Sequence, residues 1–70
     1  MKNITVTWFD QLKGIGEGTN NQGHPVFLNS LYIINDGRFK TLIKGEKVKA
    51  LIKPNKRGGH FALNITRRIA

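Results

Sequence analysis

The chain carries aromatic rings close to basic side chains at several points along its 70 residues. Phe39 stands between Arg38 and Lys40, and Trp8 comes shortly before Lys13. A flat ring offers a face on which a planar base can stack, and a neighbouring cation can contact a phosphate. These residue types therefore indicate binding to a polyanion that also carries flat rings.

The net charge of the chain is large and unevenly distributed. Twelve Lys and Arg residues stand against four Asp and Glu residues, which gives a net charge of +8. Basic and acidic residues cancel within residues 1–35, so the whole excess lies in residues 36–70. A small basic domain of this kind favours a polyanion partner, above all nucleic acid. Composition alone leaves a solubilising surface open as the alternative.

The sequence contains no residue pattern typical of catalysis or of metal binding. No two carboxylates are close enough in sequence to suggest general acid–base work, and His24 and His60 stand apart in a chain without cysteine. Residues 13–18, KGIGEG, have the glycines of a phosphate-binding loop but lack its GK[ST] ending and a following helix. We therefore expect no enzymatic activity, no metal and no cofactor.

Four short segments alternate between apolar and polar residues, as half-buried strands do, and a fifth carries glycine at every second position, so all five are predicted to be strands. They cover residues 4–7, 13–19, 26–29, 47–53 and 61–65. The alternation breaks at Trp8 and Phe9, which predicts a bulge there. Five strands in so short a chain predict one domain, residues 1–70, that closes as a small antiparallel barrel. An SH3-like barrel is the alternative architecture.

The segments TVTWFDQLKGIG, PVFLN, GRFKTLIKGEKVKALI and GGHFALNIT, in this order, resemble the bacterial cold-shock proteins. Those chains typically read KVKWFN, KGFGFI, DVFVHFSAI, GFKSL-x-EGQ-x-V and GPQAANV. The resemblance runs from about residue 4 to residue 66 and differs by short insertions before Phe39 and in the loop 56–60. It implies an all-β, five-stranded antiparallel OB-fold barrel of the cold-shock-domain type. It also implies binding of single-stranded RNA or DNA, and a role as an RNA chaperone or a regulator of transcription or translation.

Within this resemblance, most of the family's stacking rings are replaced. Ile15 and Glu17 stand at the two ring positions of the first motif, and Asn29 and Ser30 replace a histidine and a phenylalanine of the second. Phe27 is the ring that remains in these motifs. Because each stacked base contributes about 1–3 kcal/mol, these replacements predict weaker binding than the family pattern would give.

The resemblance and the alternation together predict a nucleic-acid-binding surface. The resemblance turns Trp8 outward, whereas simple alternation from Ile4 and Val6 would turn it inward. Phe27 lies between two inward-facing positions, so alternation itself turns it outward. The predicted site comprises Trp8, Phe9, Lys13, Ile15, Phe27, Asn29, Arg38, Phe39, Lys40, Lys56, Arg57, His60 and Phe61.

Phe61 has two interpretations at this point. Its position matches those of Leu63 and Ile65 in an alternating set, which predicts an inward-facing side chain. There it would fill the space that the small residues Gly18 and Ala50 leave. The alternative is that Phe61 lies on the outer surface as a replacement stacking ring.

Two further assignments also stay open. Phe39 is either a stacking ring or an anchor that packs its loop onto the barrel. Lys47, Lys49 and Lys53 share the outer face of the fourth strand, which we expect to lie away from the binding surface. They form either a solvated face or a second polyanion track.

The leading hypothesis is a divergent cold-shock-type protein that binds single-stranded RNA or DNA. The second is a barrel that has lost strand binding and acts as a protein-interaction or regulatory module, with Glu17, Tyr32 and Leu51 as new surface. No apolar run reaches the length of a signal peptide or a membrane span. We therefore expect a cytoplasmic protein with no membrane or small-molecule partner, as a monomer or alternatively a dimer.

Overall fold

The computed structural model describes residues 1–34, 37 and 40–67. Its elements are β1 (Lys2–Asp10), β2 (Ile15–Thr19), β3 (Pro25–Asn29), a short 3-10 helix (Ser30–Tyr32), β4 (Lys47–Pro54) and β5 (His60–Thr66). The five strands close into a barrel in the order β1-β2-β3-β5-β4. No helix of the described residues is long and apolar enough to cross a membrane.

The strand pairing identifies the type of barrel. β1 pairs in antiparallel fashion with both β2 and β4, β2 with β3, and β4 with β5. The barrel is completed by a parallel pairing of β3 with β5. This is the five-stranded OB-fold, so the predicted fold is confirmed and the SH3-like alternative is excluded.

The core lies inside the barrel and is built by the alternation of each strand. In β3, β4 and the first half of β1, every second side chain points inward, and these inward positions carry aliphatic residues. The buried core residues are Ile4, Val6, Val26, Leu28, Ile33, Leu42, Val48, Ala50, Ala62 and Ile65. The opposite face of each strand is left for solvent or for a ligand.

The glycines of β2 are required by the close approach of β1. Gly16 and Gly18 are both buried, and a Cβ atom at Gly18 would lie 2.5 Å from Ile4 Cγ2 and 2.8 Å from the Thr5 carbonyl oxygen. The expectation that Gly18 leaves space for a larger side chain is therefore wrong. The main chain of β1 and the Ile4 side chain already occupy that volume.

A bulge in β1 sets the direction of Trp8. Val6 pairs with Gly18 and Trp8 pairs with Glu17, so Thr7 is an extra residue on the β1 side of the ladder. An extra residue reverses the alternation that follows it. Trp8 consequently points outward although Val6 points inward, and the predicted bulge and the outward Trp8 are both confirmed.

A second bulge lies in β5. Two steps along β4, from Lys49 to Leu51, face three steps along β5, from Thr66 to Leu63. Within this interval Asn64 has a positive φ of +52°, in the left-handed region. Asparagine tolerates that region better than most residues, because its short polar side chain can hydrogen-bond locally.

The β5 bulge reverses the alternation of its strand. Ala62 and Ile65 are both fully buried, although they are three positions apart, whereas Phe61 and Leu63 are partly exposed. The prediction that Phe61 shares an inward face with Leu63 and Ile65 is therefore wrong. The prediction assumes unbroken alternation through Asn64, but the extra residue of the bulge interrupts the alternation there.

Candidate nucleic-acid interface

Five outward-facing residues form a continuous row around the barrel. Trp8 pairs with Glu17, Glu17 with Phe27, Phe27 with Phe61, and Phe61 with Lys53. Direct partners on neighbouring strands point to the same face of a sheet and lie close together. We call these five residues the ring row, because three of them are aromatic.

The rings of this row are accessible to a ligand. Trp8 is 45% exposed and Phe27 is 53% exposed, although both are large apolar side chains. Phe61 is partly exposed and contacts Tyr32, with ring centroids 6.2 Å apart and ring planes tilted by 47°. This spacing is typical of a favourable aromatic pair, so Tyr32 extends the aromatic surface beyond the row.

A shallow cleft of about 290 Å³ lies between these rings. Its floor consists of inward or small residues of the barrel, and its walls are the exposed rings. The lining residues are Trp8, Ile15, Gly16, Phe27, Leu28, Asn29, Tyr32, Asn55, Phe61 and Ala62. Apolar walls with a few amide groups suit a flat heterocycle that stacks on one face and hydrogen-bonds at its edge.

Ile15 and Asn29 are partners across β2 and β3 at one side of the cleft. Ile15 is 42% exposed and contributes apolar surface in place of a ring. The Asn29 side-chain oxygen accepts a hydrogen bond of 2.9 Å from the Leu31 backbone N–H and caps the 3-10 helix. Asn29 therefore helps to hold Tyr32 in place at the edge of the cleft.

The turn between β4 and β5 carries two cationic residues and lies beside the exposed rings. The Asn55 side-chain oxygen accepts a hydrogen bond of 3.0 Å from the Arg57 backbone N–H, and both Lys56 and Arg57 are exposed. The turn reaches the rings, because a Cβ atom at Gly59 would lie 4.0 Å from Phe27 Cε2. Lys56 and Arg57 can therefore contact phosphates of a strand that stacks on Phe27.

Two predicted site residues lie away from the cleft. Phe9 is partly buried and packs against the core, and a Cβ atom at Gly16 would lie 2.6 Å from its Cδ1 atom. His60 is exposed but lines a different groove, of about 600 Å³, together with His24 and Lys2. The structure therefore does not bring Phe9 or His60 together with the exposed rings.

The remaining predicted residues have varied positions. Lys13 is exposed in the turn between β1 and β2, where its backbone N–H donates a 3.1 Å hydrogen bond to Asp10 Oδ1. Lys40 is exposed in the connection that precedes β4. Arg38 and Phe39 lie outside the described residues. The described residues contain no cluster of three His, Cys, Asp or Glu side chains that would hold a metal ion.

Comparison with known proteins shows the family. No protein-family model matches the chain. It is 50% identical over 48 residues to cold shock protein 1 of Lactiplantibacillus plantarum, covering 69% of this chain and 71% of that protein. It is 40% identical over 63 residues to the major cold shock protein of Streptococcus pyogenes, covering 90% and 91%. The chain belongs to the cold-shock protein family. The cold shock-like protein CspA of Vibrio cholerae is 36% identical over 59 residues, covering 83% of each chain.

Lys53 and Tyr32 are not among the predicted site residues, but both lie at the aromatic surface of this cold-shock barrel. Lys53 was expected to lie away from the surface, but its pairing with Phe61 places it at one end of the ring row. Tyr32 reaches the cleft through the capped 3-10 helix. The partner of Lys53 depends on the β5 register, and sequence alternation does not reveal register.

Proposed function

We propose that this member of the cold-shock family binds single-stranded RNA or DNA across the ring row. The observation that carries the proposal is that Trp8, Phe27 and Phe61 are outward rings of one row across the barrel, with Glu17 between the first two. Every nucleobase has a π-face, so such a surface binds single strands with little sequence preference. Membership in the cold-shock family supports the same function.

Phe61 and Tyr32 offset part of the loss of the family's usual rings. Each stacked base contributes about 1–3 kcal/mol, and Ile15, Glu17 and Asn29 provide no ring at their positions. Phe61 adds one stacking face beside Phe27, and the Tyr32 ring supports it. With a net charge of +8, phosphate contacts then account for a large share of the affinity.

We further propose that the protein acts as an RNA chaperone, as a single domain and a monomer in the cytoplasm. Bases that stack on the ring row cannot at the same time stack within a duplex. Binding of this kind therefore favours the unpaired form of a strand by mass action. Low sequence preference would let one protein act on many RNAs.

The proposal is tested by titrating the fluorescence of Trp8, the single tryptophan, with short mixed-sequence oligonucleotides of RNA and DNA. We expect saturable quenching that persists at physiological salt, because stacking is not screened. A duplex of the same sequence should quench much less. Absence of quenching at low and at physiological salt would reject strand binding at the ring row and favour the protein-interaction alternative.

The chaperone role needs a separate measurement. An RNA hairpin that carries a fluorophore and a quencher at its ends should open at a lower temperature when the protein is present. We expect the shift to grow with protein concentration, because the protein binds only the open form. A protein variant in which Trp8 and Phe27 are both replaced by alanine should have little effect on the melting temperature of the RNA hairpin. Quenching without any shift would reject the chaperone role and leave strand binding intact.

A further inference from the structure

Glu17 is an acid within the ring row, next to the Trp8 end. It is the direct partner of Trp8 on one side and of Phe27 on the other. No hydrogen bond or ion pair engages its carboxylate among residues 1–34, 37 and 40–67. A carboxylate without a protein partner, placed between two stacking rings, is available to a ligand.

The position of Glu17 matches the edge of a stacked base. Direct cross-strand partners have Cβ atoms about 4.5–5.5 Å apart, so a base on Trp8 or Phe27 extends its edge toward Glu17. An ionised carboxylate accepts hydrogen bonds and donates none. It can therefore pair only with base edges that present N–H groups.

We propose that Glu17 is a specificity-determining residue that selects bases carrying an exocyclic amino group over uracil and thymine. Cytosine presents its N4 amino donor where uracil presents the O4 acceptor, and adenine likewise presents its N6 amino group. A carboxylate accepts a hydrogen bond from the amino group and repels the O4 oxygen. This inference rests on the proposed function and adds a base preference to it.

The same charge also directs the backbone of the strand. Glu17 repels phosphates between Trp8 and Phe27, whereas Lys53, Lys56 and Arg57 attract them at the β4–β5 end of the row. Repulsion between the first two rings and attraction at the opposite end favour a path in which bases cover the row and phosphates follow its border. Base edges are thereby presented to Glu17.

The test compares end-labelled oligocytidine and oligouridine of equal length by fluorescence anisotropy, at pH 7.5 and physiological salt. These pyrimidines have similar ring area, so the comparison separates hydrogen bonding from gross ring size. We expect the wild-type protein to bind oligocytidine about fivefold more tightly, as one hydrogen bond would give. In Glu17→Gln the ratio should fall toward one, mainly because oligouridine binds better, since an amide can donate to O4.

Glu46→Gln is the matched control, because it removes the same charge from a residue outside the ring row, whose carboxylate is already engaged within its own turn. Glu46 Oε1 accepts a 3.0 Å hydrogen bond from the Ile43 backbone N–H, and glutamine keeps that oxygen. The ratio should stay at its wild-type value in this variant. Equal wild-type affinities, or a ratio that Glu17→Gln leaves unchanged, would overturn the inference alone. Failure to bind either oligonucleotide would overturn the proposed function, and the inference would fall with it.

Discussion

Phe27 of β3 and Phe61 of β5 are direct partners in the parallel pairing of these two strands. The pairing joins a ring from the first half of the chain to a ring from the last strand. It also explains how a cold-shock barrel with replaced motif residues keeps an aromatic surface. The surface is reassembled from a strand on which the family pattern places no ring.

Replacing Phe61 by leucine should weaken strand binding while the fold persists. Leucine keeps the apolar contact with Tyr32 but removes the flat face, so we expect a loss of about 1–3 kcal/mol in binding free energy. Titration of Trp8 fluorescence with a single-stranded oligonucleotide measures it. Leu51→Ala is the control, because Leu51 is 39% exposed on β4 and lies outside the cleft. Unchanged affinity in Phe61→Leu would mean that strands do not stack on β5.

Lys56 and Arg57, in the turn between β4 and β5, should determine part of the salt dependence of strand binding. Each phosphate contact with a single strand adds about −0.7 to the slope of log affinity against log salt. Replacing Lys56 and Arg57 together by glutamine should therefore make the slope shallower by about 1.4 if each contacts one phosphate. Affinity measured at several salt concentrations gives this slope.

Lys47 and Lys49 provide the matched charge control for that experiment. They are exposed on β4, and even Lys49 lies about 13 Å along the strand from Lys53, at about 3.3 Å per residue. The double glutamine variant carries the same charge change and should leave the slope nearly unchanged. An equal loss of slope in both double variants would show instead that β4 carries a second polyanion track.

Gly18→Ala should destabilise the barrel. The new Cβ atom would lie 2.5 Å from Ile4 Cγ2 and 2.8 Å from the Thr5 carbonyl oxygen. The main chain of β1 can move away only at a cost in free energy, because it is hydrogen-bonded to its neighbouring strands. Overpacking of this kind costs about 1–3 kcal/mol of unfolding free energy. Urea denaturation measures the loss. Thr19→Ala, at an outward position of the same strand, should cost less than about 1 kcal/mol. Equal effects of the two substitutions would contradict the tight contact between β1 and β2.

Asn64 should tolerate glycine and reject valine. Its φ of +52° is open to glycine but costs other L-residues about 1–2 kcal/mol, and β-branched residues suffer most. We therefore expect Asn64→Val to lower the denaturation midpoint and Asn64→Gly to leave it nearly unchanged. Asn3→Val, at an exposed position of β1, is the control and should be neutral or stabilising. Equal denaturation midpoints for Asn64→Val and Asn3→Val would contradict the left-handed backbone at Asn64 and therefore the β5 bulge.

Strand alternation was enough to predict most of the barrel from the sequence. The two-residue period of a strand correctly predicts that Ile4 and Val6, and likewise Val48 and Ala50, point inward. The consecutive apolar residues Trp8 and Phe9 indicate the β1 bulge. The β5 bulge leaves no such mark, because Asn64 is an exposed polar residue in a strand whose neighbours look regular. A left-handed φ is a property of the backbone that the residue type permits but does not dictate.

The aromatic surface was only partly predictable for a related reason. Phe27 follows from alternation, but the contact between Phe61 and Tyr32 depends on how the 3-10 helix is held by the Asn29 cap. In the sequence, Asn29 is noticed mainly because it replaces an aromatic residue of the family pattern. Its structural role, to accept a hydrogen bond from the Leu31 backbone N–H, becomes clear only in the fold. Long-range pairings such as Phe61 with Lys53 depend on register, which a bulge elsewhere in the strand resets.

The extra residues at Thr7 and Asn64 each offset the inward–outward alternation of one half of a strand from that of the other half. Loss of the Asn64 codon would leave Phe61 outward and Ile65 inward, because the two halves of β5 would then alternate without interruption. Gain of one codon between Phe61 and Leu63 would instead send Phe61 into the interior without changing any aromatic codon. Small insertions and deletions can thus create or erase a stacking ring in such barrels.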